Sequence, residues 1–573
     1  MRTRRLHLFT LAAAVALLVP TAGAWGQSAG GSDQAVRRSV DLGAAQAPGP
    51  NVGLARLGGL TSRELKLWAS QNLVVPTGAR YLKSLVECET EASATQPDFK
   101  LDCDTILPNN EPDIEVDPTD PSHIVASSND YDSCCDGFYT SFDGGQTWTQ
   151  GNMSAEDSKR IGSDPVTVFD PVSGNVIHSS LNFLINKDGL AKDGDVVVSL
   201  SKDGGITWGR PVVVLTGQGN DESPTQIFND KEWIVVDTNP SSPFYGRTYL
   251  TWSRFVSHDA VYAESAIFEA HSDDGGKTWS AAQEINGSAP FCDIQYDGPT
   301  GECDENQFSV PTVAPDGAVY VAFENEQNST IQEPGEEFGN PQEIHDNQYL
   351  VVKSTDGGVT WSAPVIAATL EDGPTNYPVN VVGRQTLTGY QTRVNSAGNI
   401  VASQTGELFL VWSDNRNGTS DPLTPVTNTN VFVSTSIDAG ATWSPPAAVD
   451  AGPGDQWFPW VDVDPTTGDL AVVYHTRNDA NPALYNTAVA TGSIGSFAIT
   501  QVSTKPSNPT RSVFFKAKTP GCFACSTFIG DYNRLAFGSD GVAHVTWTDM
   551  RRPFAQASKP PQYLQFLFYR QLP

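Results

Sequence analysis

The chain runs to 573 residues, 39% of them apolar and 10% aromatic, with a formal net charge of −31. So acidic a body repels nucleic acid and anionic membranes, and past the N-terminal segment no stretch approaches the ~20 apolar residues of a spanning helix. Its 50 glycines and 39 prolines mark a chain dense in turns.

Residues 1–24 read as an export signal. Arg2, Arg4 and Arg5 form a basic start, Leu8 to Pro20 an apolar stretch, and Ala22-Gly23-Ala24 a small-residue cleavage site. A secreted or periplasmic protein follows. Residues 25–105 form an N-terminal extension whose first part is rich in Ala, Gly, Gln and Ser. Within it, Thr61-Ser-Arg-Glu64 matches a capping box, opening a short helix through Trp68 to Asn72. Leu73 to Pro76 is a candidate for a strand that closes the main body.

Residues 106–573 are built from repeats. Seven stretches carry a β-strand, a Pro/Asp/Gly turn and a second strand, beginning with Pro112–Asp117 into His123–Ala126. In the fifth, Gln391–Val394 leads into Leu408–Trp412; in the seventh, Ile529–Phe537 leads into Val542–Trp547, with a third strand at Tyr563–Tyr569. The first five units end in one eight-residue phrase: Ser141-Phe-Asp143-Gly-Gly145-Gln-Thr147-Trp148, then SKDGGITW from Ser201, SDDGGKTW from Ser272, STDGGVTW from Ser354 and SIDAGATW from Ser436. A recurring motif at this spacing signals a repeat architecture. Its carboxylate (Asp143, Asp203, Asp274, Asp356 and Asp438) accepts backbone N–H groups, its glycines supply positive φ, and its Trp anchors the turn. These residues build a hairpin. The sixth unit has only a degraded version around Ala490 to Ser496.

The phrase resembles the Asp-box, the bacterial neuraminidase repeat of the sialidase-like β-propellers. The resemblance implies an all-β propeller with four antiparallel strands per blade and a short helical N-terminal extension. Seven blades are favoured and six are possible. An N-terminal strand supplies the outer strand that the seventh unit lacks. If strands alternate in direction, the boxes share a face with the turns joining first to second strands. Loops after the second and fourth strands share the other face, where the resemblance implies that ligands bind.

The loops on that face carry a second repeat. Second strands end as Trp252-Ser-Arg254, Phe323-Glu324, Trp412-Ser-Asp414-Asn-Arg416, Tyr474-His-Thr-Arg477 and Trp547-Thr-Asp549-Met-Arg551, with Asn129-Asp130 in the first unit. Guanidinium groups clamp carboxylates, as a sialic acid would require, but the same residues can pair with one another as rim salt bridges. Loops before first strands add Asp164, Asp230, Arg393, Trp457, Asp531, Tyr532 and Arg534. Trp457 could stack on a sugar or pack between blades, and Tyr532 beside Asp531 could be a nucleophile or a core residue. The resemblance implies three convergent arginines, a Tyr with an activating acid, and an acid/base Asp. The chain lacks the family's Arg-Ile-Pro motif ahead of the first box, so no catalytic residue carries over by motif. The catalytic candidates are Arg416, Arg477, Arg551, Asp414, Asp549, Tyr532 and Asp531; Arg254, Glu324, Arg393, Trp457, Asp164 and Asp230 are the rim candidates. The expectation is a glycan-acting or glycan-binding propeller, as an exo-sialidase or other glycoside hydrolase. The alternative is a non-catalytic binding or scaffold propeller with a small ligand or a protein partner, in either case as a monomer.

No motif requires a cofactor; zinc-protease, nucleophile-elbow, phosphate-loop and dinucleotide signatures are all missing. The acid excess is of the type that can hold structural Ca²⁺. Eight cysteines in an exported chain suggest bridges. Cys88 with Cys103 and Cys292 with Cys303 are local pairs, and Cys134 or Cys135 is expected to bridge Cys522 or Cys525 across the seam between first and last blades. His123, His178 and His544 share one strand position and are expected to be structural.

Overall fold

Short β-branched and aromatic runs, cut every few residues by Asp-Pro, Asn-Pro and Gly turns, fold as antiparallel hairpins with little else between them. The computed structural model describes residues 97–573 apart from several stretches, the longest being 103–107, 186–190, 293–300, 327–346 and 555–561. The signal, the leader helix, Leu73–Pro76, Cys88 and Cys103 lie outside the described residues. Seven four-stranded antiparallel sheets form the blades of a propeller. Blades I to VI occupy 109–152, 161–215, 225–284, 306–370, 400–448 and 456–501. Blade VII combines Arg534–Phe537, Ala543–Asp549 and Phe566–Leu572 with Phe99–Lys100 as its outer strand. Among the described residues the helical content is one 3-10 turn, Pro509–Arg511, so no helix is long and apolar enough to cross a membrane.

The ring therefore has seven blades, and an N-terminal strand closes it. Phe99 pairs with Tyr569 and Lys100 with Phe568. Three strand positions differ from expectation. The described closing strand is Phe99–Lys100; the first strand of blade V is Ile400–Ala402 rather than Gln391–Val394; the third strand of blade VII is Phe566–Leu572 rather than Tyr563–Tyr569. Gln391–Val394 belongs instead to a long connection bonded back on itself, with Thr386 N–H on the Pro378 carbonyl and Val394 N–H on the Gln385 carbonyl.

The boxes explain how blades are held together. In the first, Asp143 Oδ1 accepts Ser141 Oγ at 2.9 Å, Gln146 N–H at 3.0 Å and Thr147 N–H at 2.8 Å, while Oδ2 accepts Thr147 Oγ1 at 2.6 Å. The second glycine then sits against the preceding blade. A Cβ at Gly145 would lie 2.1 Å from the Tyr569 hydroxyl of blade VII, and one at Gly205 would lie 2.8 Å from Thr140 Oγ1 of blade I. The first glycine's carbonyl is taken by the preceding blade as well. His123 Nε2 reaches Gly204 O at 2.9 Å, Asn175 Nδ2 reaches Gly275 O at 3.1 Å, and Arg247 Nη1 reaches Gly357 O at 2.7 Å. The box thus ends a hairpin and bolts it to its neighbour. Structural roles also hold His178, on Thr167 Oγ1 at 3.1 Å, and His544, on the Tyr569 hydroxyl at 2.7 Å.

Cys292 and Cys303 are joined, as expected. Cys134 and Cys135 are joined to each other, which overturns the expected bridge from either of them to Cys522 or Cys525. Adjacent cysteines at the tight turn between the second and third strands of blade I meet one another before they can reach the neighbouring blade.

Candidate functional site at the loop face

Strand alternation places the boxes and the first turns of each blade on one face, hereafter the box face, and the loops with the candidate residues on the other. The loop-face end of the central channel is built by a bulge repeated in the inner strands. Register slips between Asn110 and Asp113, Ser163 and Val166, Asp230 and Trp233, Gln307 and Val310, and Trp457 and Trp460. In each slip the first extra residue is left-handed: Glu111 (φ 53°), Asp164 (60°), Lys231 (51°), Phe308 (56°) and Phe458 (55°). Five non-glycine residues at one structural position, each carrying roughly 1–3 kcal/mol of strain, turn their side chains away from the regular alternation. All five are buried.

These bulges gather a buried polar cluster. The Lys231 ammonium lies 4.1 Å from the Trp233 ring centre and 3.8 Å from that of Tyr532. Among the described residues Lys231 Nζ, both oxygens of Glu232 and the Tyr532 hydroxyl have no hydrogen-bond partner. Burial, then Asp164 and Asp531, push the Glu111 carboxyl well up; burial and then Asp164 do the same to Glu232. Burial pulls Lys231 down against the attraction of Asp164 and Glu111. Burial also pushes the Tyr532 phenol far above its ordinary range, with Glu111 and Asp164 adding to it. Tyr532 therefore holds its proton inside an aromatic core. Asp531, its sequence neighbour, is taken by Arg393, whose Nε donates to Oδ1 at 2.9 Å.

The second repeat folds as one local module. In blade V the Trp412 indole N–H donates to Asp414 Oδ2 at 2.8 Å, the Arg416 N–H to Asp414 Oδ1 at 3.1 Å, and Arg416 Nε to the same oxygen at 2.8 Å. Blade VII repeats it: Trp547 to Asp549 at 2.9 Å, Arg551 N–H at 2.8 Å and Arg551 Nε at 2.9 Å. Arg551 also meets Asp98 at 2.5 Å. Arg477 pairs with Asp455 and reaches the Pro482 carbonyl at 2.7 Å. Arg534 lies lower in the channel, on Asp113 at 3.0 Å and Glu115 at 2.8 Å. Arg254 lies over the Phe268 ring at 4.8 Å. Of the six candidate arginines, five are held by carboxylates of the propeller itself.

The remaining candidates are buried. Trp457 packs among Tyr390, His475 and Tyr485, with ring centres 5.6 to 6.0 Å away, and offers no face to a ligand. Asp164 accepts Ser163 Oγ at 2.6 Å, and Gln307 Nε2 reaches Asp230 at 3.4 Å. Glu324 lies beside Asp372, where burial and then that acid push its carboxyl well up, and burial holds Asp372 at about 6. Asp130 accepts Asn152 Nδ2. Above them, the connection from 371 to 399 folds over the blade V to VII sector through Tyr377, Leu387, Tyr390 and Val394, packed on Trp457, Phe458, Ile529 and Met550. Among the described residues no three His, Cys, Asp or Glu side chains are grouped to hold a metal ion.

The bulge residues and the 371–399 cap were the features that sequence reading did not resolve. One signal was present: Glu111, Asp164 and Phe458 each precede a proline, which disfavours the right-handed helical region at that residue.

The BNR/Asp-box repeat family model matches residues 270–281, the third box. No curated protein matches. Similar solved structures include the α-L-arabinofuranosidase of Fusarium graminearum in complex with arabinobiose, at 12% identity over 69% of this chain and 93% of that one, with a TM-score of 0.37. They also include the intramolecular trans-sialidase from Ruminococcus gnavus with oseltamivir carboxylate, at 12% identity, 73% and 96% coverage and a TM-score of 0.37. A polysaccharide lyase, an ulvan lyase, is similar at 10% identity, 82% and 96% coverage and a TM-score of 0.44. In fold this chain is a seven-bladed β-propeller of four-stranded blades, and its third box matches the BNR/Asp-box repeat.

Proposed function

We propose that this chain is a non-catalytic binding propeller, with glycans as the ligand class its Asp-box resemblance suggests, and that it does not hydrolyse sialosides. The observation that carries the reading is the pairing of the arginines. A sialidase site needs guanidinium groups free to clamp the substrate carboxylate and a tyrosine activated by an acid. Here Arg393, Arg416, Arg477, Arg534 and Arg551 each hold a carboxylate of the same chain, and Tyr532 is sealed between Trp233 and Lys231. Breaking one such buried pair to receive a substrate leaves an uncompensated charge, at a cost of roughly 3–5 kcal/mol.

Surface for binding remains on the loops of blade V. The connections 371–399 and 415–429 are bonded together, Asp421 N–H to the Thr375 carbonyl at 2.8 Å and Thr388 N–H to Thr427 Oγ1 at 3.0 Å. They expose Val379, Leu423 and Val426, Leu423 to 90%. A fluorogenic sialoside incubated with the purified protein is expected to release no aglycone above the level of Arg416→Ala, while a glycan array registers binding. Release that disappears in Arg416→Ala would restore the hydrolase.

A further inference from the structure

At the box face the central channel is open. A funnel of about 640 Å³ descends between the inner strands of all seven blades, with Pro118, Pro240, Pro315 and Pro465 at its lip. Val168, Val235, Val313 and Val401 line its walls. Its floor is the stacked pair Trp233 and Trp460, ring centres 4.4 Å apart, bridging blades III and VI. The Arg534 guanidinium lies over both, 4.7 Å from Trp460 and 5.6 Å from Trp233. The lining is polar and apolar in near-equal measure, and a concave site of this size with a few convergent polar groups is a usual form of a small-molecule pocket.

The polar groups at the floor are unbalanced. Arg534 Nε holds Asp113 and its Nη2 holds Glu115, and Asp462 stands on the blade VI wall. Three carboxyl groups thus surround one guanidinium. Asp113 is fully buried, and Asp462 has both oxygens occupied, by the Val463 N–H at 2.8 Å and the Phe537 N–H at 2.9 Å. Glu115 differs. Among the described residues its Oε2 alone is bonded, and 30% of its side chain is exposed, in the funnel.

We propose that this funnel binds a small organic amine, an apolar alkyl or aryl body carrying one ammonium head, with Glu115 as the counterion and the valine walls around the body. Desolvation in the narrow funnel, opposed by Arg534 and reinforced by Asp113 and Asp462, pushes the Glu115 carboxyl up to about 8. Those three are the charged groups that act on it most; from blade II the cavity is faced by Val168. With its carboxyl raised in this way, Glu115 holds a proton at neutral pH. A protonated amine arriving at Oε1 supplies the positive charge that the proton supplied, and the carboxyl proton leaves to solvent. An anion would meet excess negative charge at the floor and in the chain's −31 field. A neutral body of the same shape would fill the walls but leave the floor as it was.

The site lies on the face away from the loops, so its test stands apart from that of the loop-face reading. Phenethylamine serves as the probe, titrated calorimetrically into the wild-type protein in phosphate and in MOPS, buffers of different ionisation enthalpy that carry no primary ammonium. One-to-one saturable binding is expected, releasing most of one proton per ligand at about pH 7 and tightening as pH rises from about 6 to about 8. Glu115→Gln is expected to weaken binding at least tenfold and to abolish the proton release. Val401→Trp, which fills the funnel from its wall, should prevent binding, with its melting curve confirming the fold. In the wild type, 2-phenylethanol should compete at least tenfold more weakly than phenethylamine binds. Absence of saturable binding, equal competition by the alcohol, or an unchanged affinity in Glu115→Gln would overturn the proposal.

Discussion

At the scale of single residues, the five boxes differ in one informative place. Gly144, Gly204, Gly275 and Gly357 all stand at φ between 70° and 76°, and the fifth box carries Ala439 there at φ 59°. A Cβ in the left-handed region costs about 1–2 kcal/mol, part of which glycine returns through its freer unfolded state. Ala439→Gly is therefore expected to stabilise the protein by about 0.5–1 kcal/mol, read as a higher denaturant midpoint with unchanged slope. The reverse change at Gly357 meets a crowded neighbour, with Arg247 Nη1 2.4 Å from the new Cβ, and should lower the midpoint. Boxes of this kind are readable from sequence because donors and acceptor fall within eight residues. The Trp-x-Asp-x-Arg modules are equally local, yet their residue types suit a ligand clamp and an internal ion pair alike. Only the position of Asp414 against Arg416, and of Asp549 against Arg551, in the folded chain separates the two.

At the scale of strands, the closing pair in blade VII carries weight out of proportion to its length. Phe99 is buried, edge-on to Tyr569 with ring centres 5.3 Å apart, and Tyr569 in turn meets Trp148 of the first box at 5.2 Å. Phe99→Ala removes the aromatic that joins the strand to the seam and is expected to cost about 3–5 kcal/mol, measured by urea unfolding. The sequence announced that blade VII needed a strand from upstream, because its own unit stopped at three. It did not locate that strand, since Phe99-Lys100 is two residues long and has no alternation to read. The inner-strand bulges escaped for a related reason. A bulge adds one residue without changing composition, so Asp230-Lys231-Glu232 reads as a polar loop although the structure buries all three.

For the molecule as a whole, acidity and burial pull stability in opposite directions along the pH scale. The box carboxylates of Asp203, Asp356 and Asp438 are held down at about 2, chiefly by the hydroxyls of Thr207, Thr360 and Thr442. Being depressed, they favour the folded state above about pH 4, the unfolded carboxyl range, and that contribution is lost as pH falls towards 2. Burial acts the other way on Asp102 and Asp195, both raised to about 7, and on Glu115 at about 8. Raised carboxyls favour the folded state at low pH and lose that contribution as pH climbs through their folded values. Buried His475 and His544, pulled down to about 3 and about 4, weaken the fold as pH drops below about 6.5, the unfolded imidazole value. With unfolded carboxyls titrating at about pH 4, the loss from the raised carboxyls runs from about pH 4 to about 8, partly offset by the two histidines up to about 6.5. The melting temperature should thus peak at about pH 4 to 5, fall towards about pH 8, and fall again below about pH 4. A flat profile between about pH 5 and about 8 would contradict the buried-carboxyl assignment.

Closure of the ring also sets an order of events in time. Leu567 N–H and the Asp102 carboxylate that accepts it are 465 residues apart in sequence. A chain emerging N-terminus first must keep Phe99-Lys100 unpaired until nearly every other strand has been made. During that interval the waiting strand and the open edge of a second copy's last blade are complementary. Exchange between copies is the characteristic error of such a topology, and concentrated refolding should produce dimers that dilute refolding does not.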